Sequence, residues 1–199
     1  MKRNHDGSVA NRPDRAEFER YADLFAETTR GHELYQHVPL GNISPTKRGD
    51  IVEKVVRRQD QLTNPDATFS DPTPGTDVNG KKRGRSKEKY DYGRDATKVE
   101  VKASILSWNC SMKYWCLYFA NVKRDEHDEL RLAAYAPDGI HIHKHDGARF
   151  STNGKATASS GGQITICGPQ HETDWRAALK VMLPKLGTFV AMIPFAPAL

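Results

Sequence analysis

Cysteine is scarce in this sequence, with three residues among 199, at Cys110, Cys116 and Cys167. An odd number without any CxxC pair predicts neither a disulfide framework nor a zinc knuckle. Such sparing use of cysteine is typical of a protein in a reducing, intracellular compartment.

Long apolar runs are also absent. None approaches the roughly 20 residues that a membrane helix needs, and no apolar stretch of a signal peptide follows the polar residues 1–6. We therefore expect a soluble, intracellular protein, cytoplasmic in a prokaryotic or viral setting, with the nucleus as the alternative. Because 37% of the residues are hydrophobic, we expect a flexible tail over residues 1–11 and a single domain over residues 12–199.

An acidic excess is missing as well, since Lys and Arg number 30 against 25 Asp and Glu, for a formal charge of +5. This balance suits a polyanionic partner such as DNA without requiring one. The densest basic stretch covers residues 81–89. We interpret it as a phosphate-contacting arm, with a nuclear import signal or a solvated loop as alternatives. Its candidate DNA-binding residues are Lys81, Lys82, Arg83, Arg85 and Lys87.

Two segments near the start have apolar residues at helical spacing. The first covers residues 13–29. The second begins at Ser44, which can cap a helix, and Pro45, which suits a first turn. Its apolar stripe consists of Ile51, Val52, Val55 and Val56. Glu53 lies beside that stripe.

Residues 64–80 have loop composition, and from residue 90 the apolar period changes to two, which predicts strands. We expect a hairpin from residues 90–92 and 98–104 around a turn at 93–95. Further strands are expected at residues 114–122, 130–135, 139–145 and 163–167. A last helix over 175–183, capped by Asp174 or Thr173, precedes an apolar, Pro-interrupted tail. This order predicts an α+β fold whose central, mainly antiparallel or mixed β-sheet is flanked by helices.

The strand at 98–104 carries the candidate chemistry. Residues two apart share a face and lie roughly 6.6 Å apart, so Glu100, Lys102 and Ser104 project together while the intervening valines enter the core. Asp91 precedes them on the strand expected to pair with this one. Two acids and a lysine are thus predicted to meet at one end of a hairpin.

This set of groups suits metal-assisted phosphodiester hydrolysis. A hard cation polarises the phosphate and lowers the pKa of the attacking water, and Mg²⁺ is held by one or two carboxylates plus phosphate and water. Asp91 and Glu100 are the predicted ligands. Lys102 is predicted to position the water or help to deprotonate it, and to offset charge growing on the phosphorane.

The residues Tyr90-Asp91 and Glu100-Val101-Lys102 resemble the PD-(D/E)XK nuclease superfamily, which includes many restriction endonucleases. Tyr90 stands where the name-giving Pro would be. The resemblance implies a restriction endonuclease-like core, a Mg²⁺-dependent DNA endonuclease in which Mn²⁺ can substitute, and a homodimer. It also implies an acid on a preceding helix, and Glu53 matches that position, so the implied catalytic set is Glu53, Asp91, Glu100 and Lys102. Ser104 is a further candidate DNA contact.

Three alternatives remain beside this interpretation. One is a non-catalytic DNA-binding or assembly protein that uses its charge for binding only.

The other two alternatives come from the segment His141-Ile142-His143-Lys144-His145. Its histidines share a strand face and are similar to the metal motifs of cupins and of HUH nucleases. A cupin needs further Glu and His ligands, and an HUH enzyme needs a nucleophilic tyrosine, whereas no Tyr follows Tyr135. A hydrated face, or one that meets DNA phosphates, is the favoured interpretation.

For two other features we favour a structural interpretation over a functional one. Residues 151–162 are rich in small residues and predict a flexible connection, although Lys155 and the following Gln163 are candidate DNA contacts. Five aromatic residues are favoured as sheet core over a base-stacking platform, without excluding that one does both. These are Trp108, Tyr114, Trp115, Tyr118 and Phe119.

Overall fold

The computed structural model describes residues 34–35, 38–39, 43–72, 74–76, 82–86, 90–122, 126–146 and 162–195, with the backbone alone for 74–76 and 82–86. The predicted tail at residues 1–11 and helix at 13–29 lie outside the described residues.

The described part of the chain contains two α-helices, one 3-10 turn and eleven strands. In chain order they are α1 (Pro45–Thr63), β1 (Phe69–Ser70), β2 (Pro74–Thr76), β3 (Lys82–Ser86), β4 (Tyr92–Arg94), β5 (Thr97–Ile105), β6 (Ser107–Asn109), β7 (Tyr114–Val122), β8 (Glu129–Ala136), β9 (Gly139–His145), β10 (Gly162–Cys167), α2 (Trp175–Met182), the 3-10 turn (Leu183–Lys185) and β11 (Thr188–Pro194). Neither helix in this part combines the length and apolar character that a membrane crossing needs.

Helix α1 begins as the sequence predicted. The Ser44 hydroxyl accepts a hydrogen bond from the Lys47 N–H at 3.4 Å, and Pro45 occupies the first turn. Val52 and Val56 are buried against the sheet. The helix is therefore fixed by one stripe of valines, which places the neighbouring Glu53 close to the sheet.

The main sheet has six strands in the order β1-β4-β5-β8-β9-β11. It is mixed, because β5 and β8 run parallel while the other neighbours run antiparallel. A parallel pair needs a crossover, usually a helix. Here β6 and β7 make the crossover, and with β10 they form a second sheet in the order β10-β7-β6.

Each face of the main sheet has its own core. On one face, Val99, Val101 and Ile142 pack with the valines of α1. On the other, Leu130 and Leu132 pack with apolar residues of the second sheet and of α2. The fold is α+β, as predicted, but the second sheet was not foreseen, because hydrophobic alternation does not reveal which strands pair.

Helix α1 is also tied to the main sheet by buried charges, which we call the Asp60 network: Asp60, Tyr92, Arg94, Glu129 and Arg131. Asp60, 4% exposed, accepts hydrogen bonds from the Tyr92 hydroxyl at 2.9 Å and from Arg94 at 2.8 and 2.9 Å. Arg94 and Arg131 both bond Glu129. Two acids and two arginines thus neutralise one another between α1 and the two strands β4 and β8.

Several predictions of local structure were wrong. The apolar tail after α2 is a strand, β11, which pairs antiparallel with β9 at the sheet edge. Residues 64–80 are not all loop, because β1 and β2 lie there, and part of the basic run forms β3 opposite β2. Gly93 and Arg94 belong to β4 rather than to a turn. In each case pairing with a distant segment decides the conformation.

The histidine face of β9 is buried rather than hydrated, which corrects our expectation for His141, His143 and His145. His141 is hydrogen-bonded to the Asp138 carboxylate at 3.0 Å. The Nδ1–H groups of His143 and His145 donate to the carbonyls of Gly187 and Leu186, respectively. The pKa of His143 is lowered, mainly by burial and also by the nearby His141, although its hydrogen bond to Gly187 acts in the opposite direction. These rings are held as interior groups beside the segment that leads into β11.

Candidate active site

Strand β5 directs its valines and its candidate catalytic residues to opposite faces of the main sheet. Val99 and Val101 are buried in the core beneath α1, as predicted. Glu100 and Lys102 project from the opposite face, where the Lys102 ammonium forms an ion pair with the Glu100 carboxylate. Glu100 is only 7% exposed. The strand therefore presents a buried carboxylate that is balanced by its own neighbour two residues away.

Asp91 is fixed at the open edge of β5. It lies immediately before β4, and its N–H donates to the Val99 carbonyl at 2.9 Å. Its Oδ2 accepts a 2.6 Å hydrogen bond from the Val101 N–H. The pairing of β4 with β5 ends at Val99, so β4 offers no backbone carbonyl to the Val101 N–H. The Asp91 carboxylate accepts that hydrogen bond instead. This bond places the carboxylate beside Glu100.

Glu53 reaches the same region from α1. Burial raises the pKa of Glu53 to about 7, and the nearby carboxylates of Asp91, Asp50 and Glu100 raise it further, while Lys102 opposes them. Glu53, Asp91, Glu100 and Lys102 are therefore electrostatic neighbours, although they come from a helix, the residue before a strand, and a strand. We call these four residues the carboxylate site.

The pKa values of the other two acids of the carboxylate site are also raised. Burial and the charge of Asp91 raise the pKa of Glu100 to about 7, against the attraction of Lys102. Burial raises the pKa of Asp91, while its bond from Val101 and the charge of Lys102 lower it. The pKa values of Glu53 and Glu100 are thus raised by burial and by neighbouring carboxylates, whereas that of Asp91 is raised by burial alone. Such a cluster favours a proton or a cation.

The donor chemistry fits a hard divalent cation. Carboxylate oxygens are what Mg²⁺ and Mn²⁺ prefer, and Mg²⁺ usually keeps several waters beside its protein and phosphate ligands. Within the described residues, no set of three or more His, Cys, Asp or Glu side chains is arranged as a ready ligand group. One oxygen of Asp91 faces Val101, and Glu100 is paired with Lys102.

Two further acids lie near the carboxylate site and were not predicted. Asp50 acts on Glu53, from one turn earlier on α1, and Glu126 acts on Glu100. The helical spacing of Asp50 and Glu53 was readable in the sequence. The approach of Glu126 was not, because it depends on how the segment before β8 returns to β5.

A cavity of about 210 Å³ lies between the start of α1 and the end of β5. Ser104, two residues along β5 from Lys102, lines it together with Arg48, Ser107 and Tyr118. The Ser104 hydroxyl accepts a 2.7 Å hydrogen bond from the Tyr118 N–H. Tyr118 is 39% exposed, whereas Trp115 and Phe119 are core residues, as favoured. The lining is mostly apolar, with Arg48 and two serines among its polar residues and Tyr118 as an accessible aromatic ring.

The remaining predicted DNA contacts are dispersed. Gln163 lies on β10, where its side chain donates to Thr165 Oγ1 at 3.0 Å. The structure gives only the backbone, in β3, for Lys82, Arg83 and Arg85. Lys81, Lys87 and Lys155 lie outside the described residues. Of all these residues, Ser104 is the one that lies on the same strand as Glu100 and Lys102.

No family model, curated protein or solved structure matches this chain.

Proposed function

We propose that the chain is a metal-dependent DNA endonuclease that hydrolyses phosphodiester bonds at the carboxylate site. The observation that carries the proposal is the convergence of Glu53, Asp91 and Glu100 around Lys102. Three elements bring these groups together, at an energetic cost seen in the raised pKa of each acid. Strongly perturbed groups gathered on separate elements are typical of functional sites.

The proposed chemistry assigns each side chain a role. Asp91 and Glu100, with Glu53, would hold Mg²⁺, for which Mn²⁺ can substitute. The bound cation would polarise the phosphate and lower the pKa of the attacking water. The Val101 N–H bonds Oδ2 of Asp91, which would leave the other oxygen for the cation. Lys102, freed from Glu100, would orient the water and offset charge on the phosphorane.

The wider setting of the site belongs to the same proposal. Supporting features are the formal charge of +5, the basic β3, and a mixed sheet whose antiparallel pair β4 and β5 carries the motif. We propose that this sheet is a restriction endonuclease-like core, that DNA is the partner, and that the protein acts as a homodimer, as the resemblance implies.

Cleavage of supercoiled plasmid DNA tests the proposal. We expect nicking in Mg²⁺ or Mn²⁺ that EDTA abolishes. Lys102→Ala should reduce the rate on the order of 100- to 1000-fold, as for removal of one charge-stabilising group. Lys98→Ala is the matched control, because Lys98 lies on the same face of β5, is exposed, and is absent from the carboxylate site. It should retain cleavage.

A second readout separates metal binding from cleavage. Mg²⁺ should raise the unfolding temperature of the wild-type protein, and Asp91→Asn should weaken this shift. DNA binding without cleavage in any divalent metal would overturn the proposal in favour of a non-catalytic DNA-binding protein. A covalent protein–DNA adduct would indicate HUH chemistry instead.

A further inference from the structure

Two of the three cysteines lie directly opposite each other in the second sheet. Cys116 of β7 and Cys167 of β10 are register partners, so both side chains project from the same face. The flanking Gly168 N–H donates to the Trp115 carbonyl at 2.8 Å. Hydrogen-bonded and non-hydrogen-bonded pairs alternate along an antiparallel ladder. Because Gly168 and Trp115 are hydrogen-bonded, the adjacent residues Cys116 and Cys167 form a non-hydrogen-bonded pair.

This position suits a covalent bond between the two sulfurs. Directly opposed residues of a non-hydrogen-bonded pair have Cα atoms about 4.5 Å apart, and disulfides span Cα separations of about 4.4–6.8 Å. Both thiols are free in this structure. The backbone therefore already holds them within bonding range, without any movement of strands.

The two thiols differ in access. Cys116 is 1% exposed, whereas Cys167 is partly exposed. Burial raises the pKa of the Cys116 thiol, although hydrogen bonds from Ser107 and Tyr118 lower it. Tyr114 is hydrogen-bonded to Cys167. An oxidant from solution therefore has access to Cys167, whereas Cys116 is shielded from solvent.

We propose that Cys116 and Cys167 form a reversible cross-strand disulfide by exchange with a low-molecular-weight disulfide such as oxidised glutathione. The Cys167 thiolate attacks one sulfur of the small disulfide and releases one thiol, which leaves a mixed disulfide. The Cys116 thiolate then attacks the Cys167 sulfur and releases the second. Two protein thiols lose two electrons and two protons, and the small disulfide gains them as two thiols.

The disulfide would also alter the cavity wall. In the thiol form, Cys116 Sγ donates a 3.4 Å hydrogen bond to the Ser107 carbonyl, and Ser107 lines the cavity with Tyr118. Oxidation removes the hydrogen of that bond. The disulfide itself is independent of the proposed nuclease function, because it follows from the register of β7 and β10 alone.

The test uses the full chain, folded and fully reduced, incubated with oxidised glutathione and then blocked with a thiol alkylating reagent. Intact mass and non-reducing peptide mapping identify the products. We expect two of the three thiols to escape alkylation, one cross-linked peptide pair that contains Cys116 and Cys167, and recovery of all three thiols with dithiothreitol. Cys110→Ser, which alters the cysteine between β6 and β7, should cross-link like the wild type.

Three results would overturn the inference. The first is a cross-link that includes Cys110. The second is a glutathione adduct on Cys167 that never resolves. The third is a Cys116–Cys167 bond that forms only in denaturant. Because the mapping is made on the wild-type chain, the result does not depend on whether a Cys116→Ser variant folds.

Discussion

Replacement of Asp60 by Asn probes the contact that holds α1, and with it Glu53, against the sheet. Asp60 is buried and accepts bonds from Tyr92 and Arg94, and Arg131 approaches it at 3.7 Å. The amide keeps the shape of the carboxylate but removes its charge. Two arginines then share one buried acid, Glu129, with the exposed Lys144 also bonded to it.

The expected cost follows from that imbalance. Removal of one partner from a buried ion pair destabilises a protein by about 3–5 kcal/mol, because the remaining charge stays buried without compensation. A domain of this size is stable by only about 5–15 kcal/mol. Asp60→Asn should therefore remove a large share of the stability and loosen the docking of α1.

Urea unfolding followed by circular dichroism measures this difference. The matched control is Asp71→Asn, which breaks the ion pair between Arg57 of α1 and Asp71, whose side chain is 78% exposed. A surface pair contributes about 0–1 kcal/mol, so this variant should unfold almost as the wild type does. Equal, small losses in the two variants would refute the reasoning that the Asp60 network anchors α1.

Other predictions concern titration and backbone shape. Because the folded pKa of Glu53 is raised to about 7, its ionisation should reduce stability as pH rises from about 5 to 8. Without metal, Glu53→Gln should therefore be more stable than the wild type at the upper end by on the order of 1 kcal/mol, discounted for partial exposure, and equal at the lower end. A stabilising effect at both ends would contradict this assignment. Gly187→Ala should cost about 1–3 kcal/mol in thermal unfolding, since φ is +120° and a Cβ would lie 2.2 Å from the Lys144 carbonyl. Gly49→Ala in α1, where an added Cβ meets nothing within 4 Å, should instead stabilise by about 0.5–1 kcal/mol, and a loss of stability there would contradict this account.

Local signals predicted several elements correctly. The cap at Ser44 and the valine stripe predicted α1, and alternation predicted β5, β7 and β9 within a residue or two. Each of these signals lies within one contiguous segment: a capping residue at a helix start, or apolar residues that recur with a period of 3.6 or of two residues. The opposite faces of β5 followed from the same alternation.

Long-range pairing escaped prediction for a physical reason. Strand β11 is a short apolar run that ends in a proline, and only its partner β9 distinguishes it from a tail. The alternating histidines of β9 suggested a solvent-exposed face, whereas they are buried. The segment with Leu186 and Gly187 supplies the carbonyl partners of His145 and His143. Periodicity shows which residues share a face, but not what packs on it.

The sequence by itself determined that Glu100 and Lys102 share a face of β5 behind two core valines, because side-chain direction in a strand follows from residue spacing. Only the tertiary structure decided that Asp91 is held by the Val101 N–H, that Glu53 of α1 lies within electrostatic range of both acids, and that Cys116 faces Cys167. Those contacts join segments far apart in the chain. Their geometry depends on strand order and helix docking, which are set by the packing of the whole core.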